Sequence, residues 1–333
     1  MPESITKNLF KLSIKLPDLV IESLNAYLLT LGDKNILIDT GSPSYGSISS
    51  LVEELENLGM KISDINEIII THFHIDHIGL AYLLSKLAKV KIIIGNVEYN
   101  FIKRFKYRYD EMIEILKLNG ASQQLLDIAF DFTSGFRANI YSRVGELNNV
   151  ETVNDSQQLY NLKFLFTPGH TIGHICIYDE ENKLLLSGDT LLADITPNVS
   201  LYEENSNPLN EYLKSLKRIS SLEVKKFLPA HGRIIENTEE RIRELIKHHE
   251  ERLNEMLEMM GNRELTAYEI ASKIKWKLKY NGWDELDPSQ KYLAMGETLA
   301  HLKYLEDINA VRKRISDGII KYIKQKENVK ISL

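Results

Sequence analysis

Residues Thr71-His72-Phe73-His74-Ile75-Asp76-His77-Ile78-Gly79 put three imidazoles and a carboxylate within six positions. These ligands of borderline softness suit zinc, iron or manganese. Packing does not explain so dense a cluster in a chain with 9 histidines among 333 residues. Glu67 to Ile70 just before it reads as a short buried strand, and Ile78 to Leu87 just after it carries apolar residues at helical spacing. The cluster is therefore expected on a strand-to-helix turn. In an extended segment side chains two apart point the same way, so His72 and His74 can share one metal. Asp76 and His77 lie past the bend and can face a second metal a few ångströms away, the separation that two-metal hydrolytic sites use.

Three later turns repeat the device. Lys163 to Phe166 reads as a strand that runs into Thr167-Pro168-Gly169-His170-Thr171-Ile172-Gly173-His174, where Pro and Gly force a turn that can present His170 toward His72 and His74. His174 enters the strand containing Cys176 and is assigned a buried, hydrogen-bonded role. Leu184-Leu185-Leu186 ends in Ser187-Gly188-Asp189-Thr190, and a carboxylate can bridge two cations where a neutral imidazole cannot, so Asp189 is the bridging candidate. Phe227-Leu228-Pro229-Ala230-His231-Gly232 offers a last imidazole. The seven groups divide as His72, His74 and His170 on one metal, Asp76, His77 and His231 on the other, and Asp189 between. Each follows a strand-like run, which is where open α/β sheets collect their sites.

The elements that must carry these turns are legible as a β/α layer system. Residues 9–39 read as hairpin-like strands, with Leu24 to Leu31, a turn at Gly32 to Asn35, and Ile36-Leu37-Ile38 leading into Asp39-Thr40-Gly41. Asp39 can either hydrogen-bond the site or cap the following helix, which is expected over 47–59 with Gly59 closing it. Val90 to Ile94 is a further strand. Residues 97–150 are expected to form a helical insertion over the site, a lid. Within it Phe101-Ile102-Lys103-Arg104-Phe105-Lys106-Tyr107-Arg108-Tyr109 alternates aromatic and basic residues. Tyr107 and Arg108 are the candidate substrate contacts, set against a plainer reading with aromatics in the core and bases in solvent. A long charged helix is expected from Glu239 to Met260, ended by Gly261. Then come a capped short helix at Leu265 to Ala271, a longer one at Tyr292 to Leu305 and a closing basic segment, an order that looks like a winged-helix module. The expected organisation is residues 1–240 as the metal-binding domain, 241–262 as a connecting helix and 263–333 as a small, mostly helical C-terminal domain.

Composition bounds the function. With 41 Lys and Arg against 47 Asp and Glu the net charge is -6, which gives no general attraction to polyanions. Residues 271–333 alone hold 13 Lys and Arg against 8 Asp and Glu, a net of +5, read as a solvated face or dimer contact before nucleic-acid binding. The N-terminus lacks the apolar core of a secretory signal and no apolar run approaches membrane-span length, so a cytoplasmic protein is expected. The single cysteine, Cys176, excludes an internal disulfide and is expected buried in a strand.

Taken together THFHIDHIG, TPGHTIGH, SGDT and PAHG, preceded by LIDTG at 37–41, resemble the metallo-β-lactamase superfamily over about residues 10–235. The resemblance implies an α/β fold, a four-layer αββα sandwich with a dinuclear site at one edge. It carries the seven ligands over by position, and it gives Asp39 the task of holding the ligand network. TPGHTIGH and Asp189 are similar to the glyoxalase II type rather than to lactamases with a cysteine ligand. The C-terminal region, with Gly296-Glu297-Thr298-Leu299-Ala300-His301-Leu302-Lys303-Tyr304-Leu305, resembles the winged-helix tail of the lactamase-β-like-2 endoribonuclease group. Leu80 stands where many members have a second Gly, and Leu192 where the lactonase branch has a tyrosine. No paired basic residues for glutathione can be placed. Two divalent cations, zinc first and iron or manganese as alternatives, would activate a shared water. The expected reaction is hydrolysis of a small-molecule ester or thioester in the manner of a hydroxyacylglutathione hydrolase, with Asp76 relaying a proton. The alternative is an endoribonuclease or phosphodiesterase.

Overall fold

Alternation within short apolar runs decides the layering. In the computed structural model Ile68, Ile69 and Ile70 are all fully buried, yet Ile68 and Ile70 belong to one core and Ile69 to another, because successive strand side chains face opposite ways. The structure describes residues 1–331 apart from 18, 20 and 277–281, and the side chains of 106–109, 131–134, 136 and 137 lie outside the described set.

The first sheet opens with β1 (Glu3–Ser4), β2 (Leu9–Lys15), β3 (Ser23–Leu31) and β4 (Lys34–Ile38), all antiparallel. After α1 (Tyr45–Glu56), β5 (Glu67–Ile70) joins parallel to β4. The ligand turn holds α2 (Ile75–Ile78), followed by α3 (Ala81–Leu87) and β6 (Lys91–Gly95). The insertion is three helices, α4 (Asn96–Leu118), α5 (Gln123–Ser134) and α6 (Phe136–Gly145), after which β7 (Val150–Val153) completes a seven-stranded sheet in sequential order. The second sheet contains β8 (Gln158–Leu159), β9 (Leu162–Phe166), β10 (Ile175–Asp179), β11 (Leu184–Gly188) and, after α7 (Pro208–Ser220), β12 (Lys226–Pro229). The C-terminal region comprises α8 (Thr238–Met260), α9 (Ala267–Ala271), α10 (Pro288–Asp307) and a hairpin of β13 (Val311–Ser316) and β14 (Ile319–Lys324).

The two sheets share one core, in which Ile36, Ile38, Ile69 and Ile93 meet Phe164, Ile175, Ile177 and Leu186. The outer face of the first sheet, with Ile68, Ile70, Ile92 and Ile94, is covered through Leu51, Leu55, Leu84 and Phe101 of α1, α3 and α4. The outer face of the second, with Leu165, Cys176, Tyr178 and Leu185, is covered by Tyr212 and Leu216 of α7 and by Ile242 and Leu245 of α8. Four layers, αββα, result. No helix among the described residues is long and apolar enough to cross a membrane.

Beyond shifts of a few residues at helix ends and the short strands β1, β7 and β8, three differences from the sequence reading bear on the architecture. The helix expected from Ile78 to Leu87 is broken, since the His77 carbonyl accepts from the Thr40 N–H (2.8 Å) and hydroxyl (2.6 Å), and the Leu80 N–H donates to Gly41 O (3.2 Å). Gly79 fits that junction because a Cβ there would sit 2.2 Å from Ile75 O and 2.5 Å from Pro43. Helix α7 is not among the elements expected from the sequence, although Asn207 caps it, Pro208 opens it, and Leu209, Tyr212, Leu213, Leu216 and Ile219 are its buried stripe. The closing basic segment is a β-hairpin whose Tyr322 pairs with Leu265 through backbone bonds of 3.2 and 2.8 Å.

Candidate metal centre

Strands β4 and β5 run parallel in the first sheet, and β9, β11 and β12 share one direction in the second. Their C-terminal ends bring Asp39, the turn at 71–79, His170, Asp189 and His231 to one edge of the sandwich. The edge is stitched across the sheets. Asn25 donates from its backbone to Ala230 O (2.6 Å) and from Nδ2 to Pro229 O (3.0 Å) and Gly232 O (2.8 Å), and the Ile175 N–H donates to Thr71 O (3.0 Å).

Two groups of side chains converge there: His72, His74, His170 and Asp189, and beside them Asp76, His77 and His231. In the first, His72 Nε2 lies 3.1 Å from His74 Nδ1 and 3.2 Å from His170 Nε2, and His170 Nε2 lies 2.9 Å from His74 Nδ1. Asp189 reaches both groups, with Oδ2 at 3.4 Å from His170 Nε2 and 3.7 Å from His77 Nε2, and Oδ1 at 3.6 Å from His231 Nε2. Asp76 Oδ2 is 3.3 Å from His231 Nε2.

The outward ring nitrogens fix the tautomers. His170 Nδ1 donates to Asn198 O (2.7 Å), His231 Nδ1 to Ser23 O (2.8 Å) and His77 Nδ1 to Asp39 Oδ2 (2.8 Å). The Thr71 hydroxyl donates its proton to Asp39 Oδ2 (2.8 Å), so its oxygen accepts from His72 Nδ1 (3.0 Å). In their neutral forms His72, His170, His77 and His231 turn bare Nε2 lone pairs inward, which repel unless a cation, a proton or a metal ion, sits among them. Nitrogens bound tetrahedrally to one zinc stand about 3.3 Å apart, close to the spacing in the first group. His77 Nε2, His231 Nε2 and Asp189 Oδ1 are buried without a hydrogen-bond partner, a cost that metal coordination would remove. The donor set fits divalent cations.

Electrostatics agree. Burial, reinforced by the neighbouring imidazoles, holds His72 and His74 well below the usual histidine range, so both stay neutral. Burial alone would raise Asp76 and Asp189, but the facing His77 and His231 bring both below the usual carboxylate range. Burial works against charging His77, yet Asp39, Asp76 and Asp189 raise it. A field that favours a proton there favours a metal cation as well.

Four further residues support the ligands. Asp39, held at φ 59°, accepts from the Thr71 N–H (2.9 Å) as well as from Thr71 Oγ and His77, so it orients the ligand turn. Asp39→Asn is expected to weaken metal binding on the order of 10- to 100-fold, read by competition with a chelator; unchanged affinity would contradict this role. His174 is fully buried, bonds Thr167 and Thr190 through Nδ1 (2.9 and 3.0 Å), and accepts from the Asp189 N–H at Nε2 (3.0 Å). Tyr202 places its hydroxyl 2.9 Å from His74 Nε2; no spacing rule marks it, since it sits in an irregular segment after β11. Glu98, in the first turn of α4, reads from the sequence as an ordinary helix-start acid, yet it is fully buried. It accepts from the Phe73 N–H (2.8 Å), Thr171 Oγ (2.8 Å) and the Gly173 N–H (2.7 Å), tying both histidine turns to the insertion.

Burial pushes Glu98 up to about 7 despite those three donors. Because its folded value is raised, the stability tied to it is present in full below the ordinary carboxyl value of about 4.5 and is lost as pH rises through about 7. The melting-temperature advantage of wild type over Glu98→Gln should therefore shrink across that window. A difference that stayed constant or grew with pH would refute the assignment.

In the aromatic and basic run, Phe101 and Phe105 are core residues stacked with Phe73 and Tyr141, while Lys103 and Arg104 are exposed. The side chains of Tyr107 and Arg108 lie outside the described residues. Leu80 and Leu192 are both buried.

A four-layer αββα sandwich with this histidine and aspartate edge defines a class, and comparison with known proteins agrees with it. Residues 22–231 match the metallo-beta-lactamase superfamily and residues 253–325 the metallo-beta-lactamase-like C-terminal domain. The chain belongs to the metallo-beta-lactamase superfamily. It is 26% identical over 298 residues to the probable metallo-hydrolase YqjP of Bacillus subtilis, covering 85% of this chain and 88% of that one. It is 26% identical over 255 residues to the beta-lactamase-like protein 2 homolog of Caenorhabditis elegans, covering 76% and 71%. It is 24% identical over 246 residues to the atrochrysone carboxyl ACP thioesterase of Aspergillus fumigatus, covering 73% and 61%. The crystal structure of the metallo-beta-lactamase family protein TTHA1429 from Thermus thermophilus superposes with a TM-score of 0.81 at 26% identity, covering 97% of this chain and all of that one.

Proposed function

We propose that the protein is a metal-dependent hydrolase of an ester or thioester, with His72, His74 and His170 holding one divalent cation, Asp76, His77 and His231 a second, and Asp189 shared between them. When bound, such a pair supplies Lewis acidity and an activated water. The carrying observation is the convergence of bare imidazole nitrogens and an orphaned carboxylate oxygen on one buried point. Asp76 is held ionised at neutral pH, and its side chain is the more exposed of the two inward carboxylates, 13% against 8%. It accepts the proton released on attack and returns it to the leaving oxygen or sulfur.

An apolar cleft lined by Met112, Leu116, Leu201, Tyr202, Tyr292 and Leu293 offers carbon surface against which an acyl group can lie. Tyr202 both lines this cleft and reaches His74. The relative that bears a thioesterase name agrees with this reading. A second reading, cleavage of single-stranded RNA, draws on the hairpin of the C-terminal region, whose two-helix-and-hairpin order suits a winged-helix module and whose Arg312, Lys313, Arg314 and Lys321 give it basic character. Lys313 and Arg314 are ion-paired with Glu306 and Glu264, which offsets much of that charge. The test is an assay of zinc-loaded protein on acyl thioesters, p-nitrophenyl esters, bis-p-nitrophenyl phosphate and an RNA oligomer. Turnover of the esters or thioesters that falls in Asp76→Asn, most for the thioesters, is expected; selective RNA cleavage with the same dependence would reverse the order of the two readings.

A further inference from the structure

Two ligands of the three-histidine group are held from outside by one short segment. His170 Nδ1 donates to the carbonyl of Asn198 (2.7 Å), and the hydroxyl of Tyr202 meets His74 Nε2 (2.9 Å). Residues 198–202 have no helix or strand pairing of their own to fix them. What fixes them comes from almost a hundred residues further along the chain. Asn198 Nδ2 donates to Glu297 Oε2 (3.3 Å) and approaches Leu293 O (3.5 Å), and the Leu201 N–H donates to Gly296 O (3.2 Å). Val199 is fully buried in the core to which Met295 and Leu299 belong. All five partners, Leu293, Met295, Gly296, Glu297 and Leu299, lie on α10.

Gly296 shows how close this contact is. A Cβ there would stand 2.6 Å from Ser200 Oγ and 3.0 Å from Ser200 Cβ, so a side chain at 296 would require Ser200 to rotate and its backbone to shift away from the helix. Alanine is the better residue for a helix interior, so helix stability does not call for glycine at this position.

We infer that α10 of the C-terminal region is part of the apparatus that holds the three-histidine group in register. It pins residues 198–202, and they orient His170 through the Asn198 carbonyl and His74 through the Tyr202 hydroxyl. Glu297, Gly296, Asn198 and Tyr202 are positioning residues. Tyr202 also lines the apolar cleft together with Tyr292 and Leu293, so the same helix shapes the substrate side of the site. The inference rests on the metal reading above and adds to it a task for the C-terminal region.

The test uses the 333-residue chain, with zinc as the probe, and compares wild type, Gly296→Ala, Tyr202→Phe, Glu297→Ala and Glu297→Gln. Zinc affinity is measured by competition with a chelator, and melting is followed on the metal-free proteins. Gly296→Ala, Tyr202→Phe and Glu297→Ala are expected to weaken one zinc equivalent on the order of 10- to 100-fold, leaving the other near wild type. Glu297→Gln, which keeps an acceptor for Asn198, should stay close to wild type, and the metal-free variants should melt in one transition near the wild-type temperature. Wild-type affinity in all the variants would overturn the inference. So would equal weakening of both equivalents together with a collapse of metal-free melting, which would mark a general loss of structure. A wild-type protein that takes up no zinc would instead overturn the metal reading itself, and this inference with it.

Discussion

Asp189→Ala is expected to reduce the metal content from about two equivalents per chain to one or none, and to abolish hydrolysis in the same step. The expectation follows from position. The Asp189 carboxylate lies within 4.0 Å of imidazoles from both sets, touching His72 and His170 on one side and His77 and His231 on the other. Removing it leaves Asp76 as the remaining carboxylate facing the Nε2 atoms of His77 and His231, and takes the shared anion from between the two groups. Elemental analysis of the purified variant beside wild type, with fold checked by circular dichroism, reads the result. An Asp189→Ala protein that keeps both metals would show that the bridging assignment is wrong.

Asp76→Asn separates holding a metal from moving a proton. Asparagine keeps an oxygen near His231 Nε2 but accepts no proton at neutral pH. If Asp76 relays the proton to the leaving group, kcat should fall roughly 10²- to 10⁴-fold, with the metal of the three-histidine group retained. The loss should also be smaller for substrates whose leaving group needs no protonation, such as p-nitrophenyl esters, than for alkyl thioesters or esters. Equal loss on both substrate types would reduce Asp76 to a ligand without the relay role.

The candidate ligands stand out in the sequence because the turns that carry them follow short, strongly apolar strands. Ile68-Ile69-Ile70 before His72, Leu184-Leu185-Leu186 before Asp189 and Phe227-Leu228 before His231 are all buried, and buried parallel strands read as continuous apolar runs. The residues that aim the ligands were harder to find. Asp39 followed such a run and could be suspected; Glu98, Asn198 and Tyr202 follow none, and their roles arise only when distant turns are brought together. Glu98 lies 25 residues from Phe73 and 75 from Gly173, while Tyr202 lies 128 from His74, separations at which spacing carries no information. Leu192 is a related case. It is buried and presents no hydroxyl, while Tyr202, ten positions later, brings a phenol to the three-histidine group by another route. Helix boundaries failed for a different reason: the break at Gly79 is imposed by Thr40 and Gly41, which lie far back in the chain.

Elemental analysis of the 333-residue protein, purified without chelator and repeated after chelation, tests the assignment of the metal centre most directly. About two transition-metal ions per chain are expected, with stripping expected to abolish hydrolysis and lower the melting temperature, and with both restored by added zinc. A protein that carries no transition ion, takes none up from excess zinc, and melts unchanged with or without chelator would contradict it.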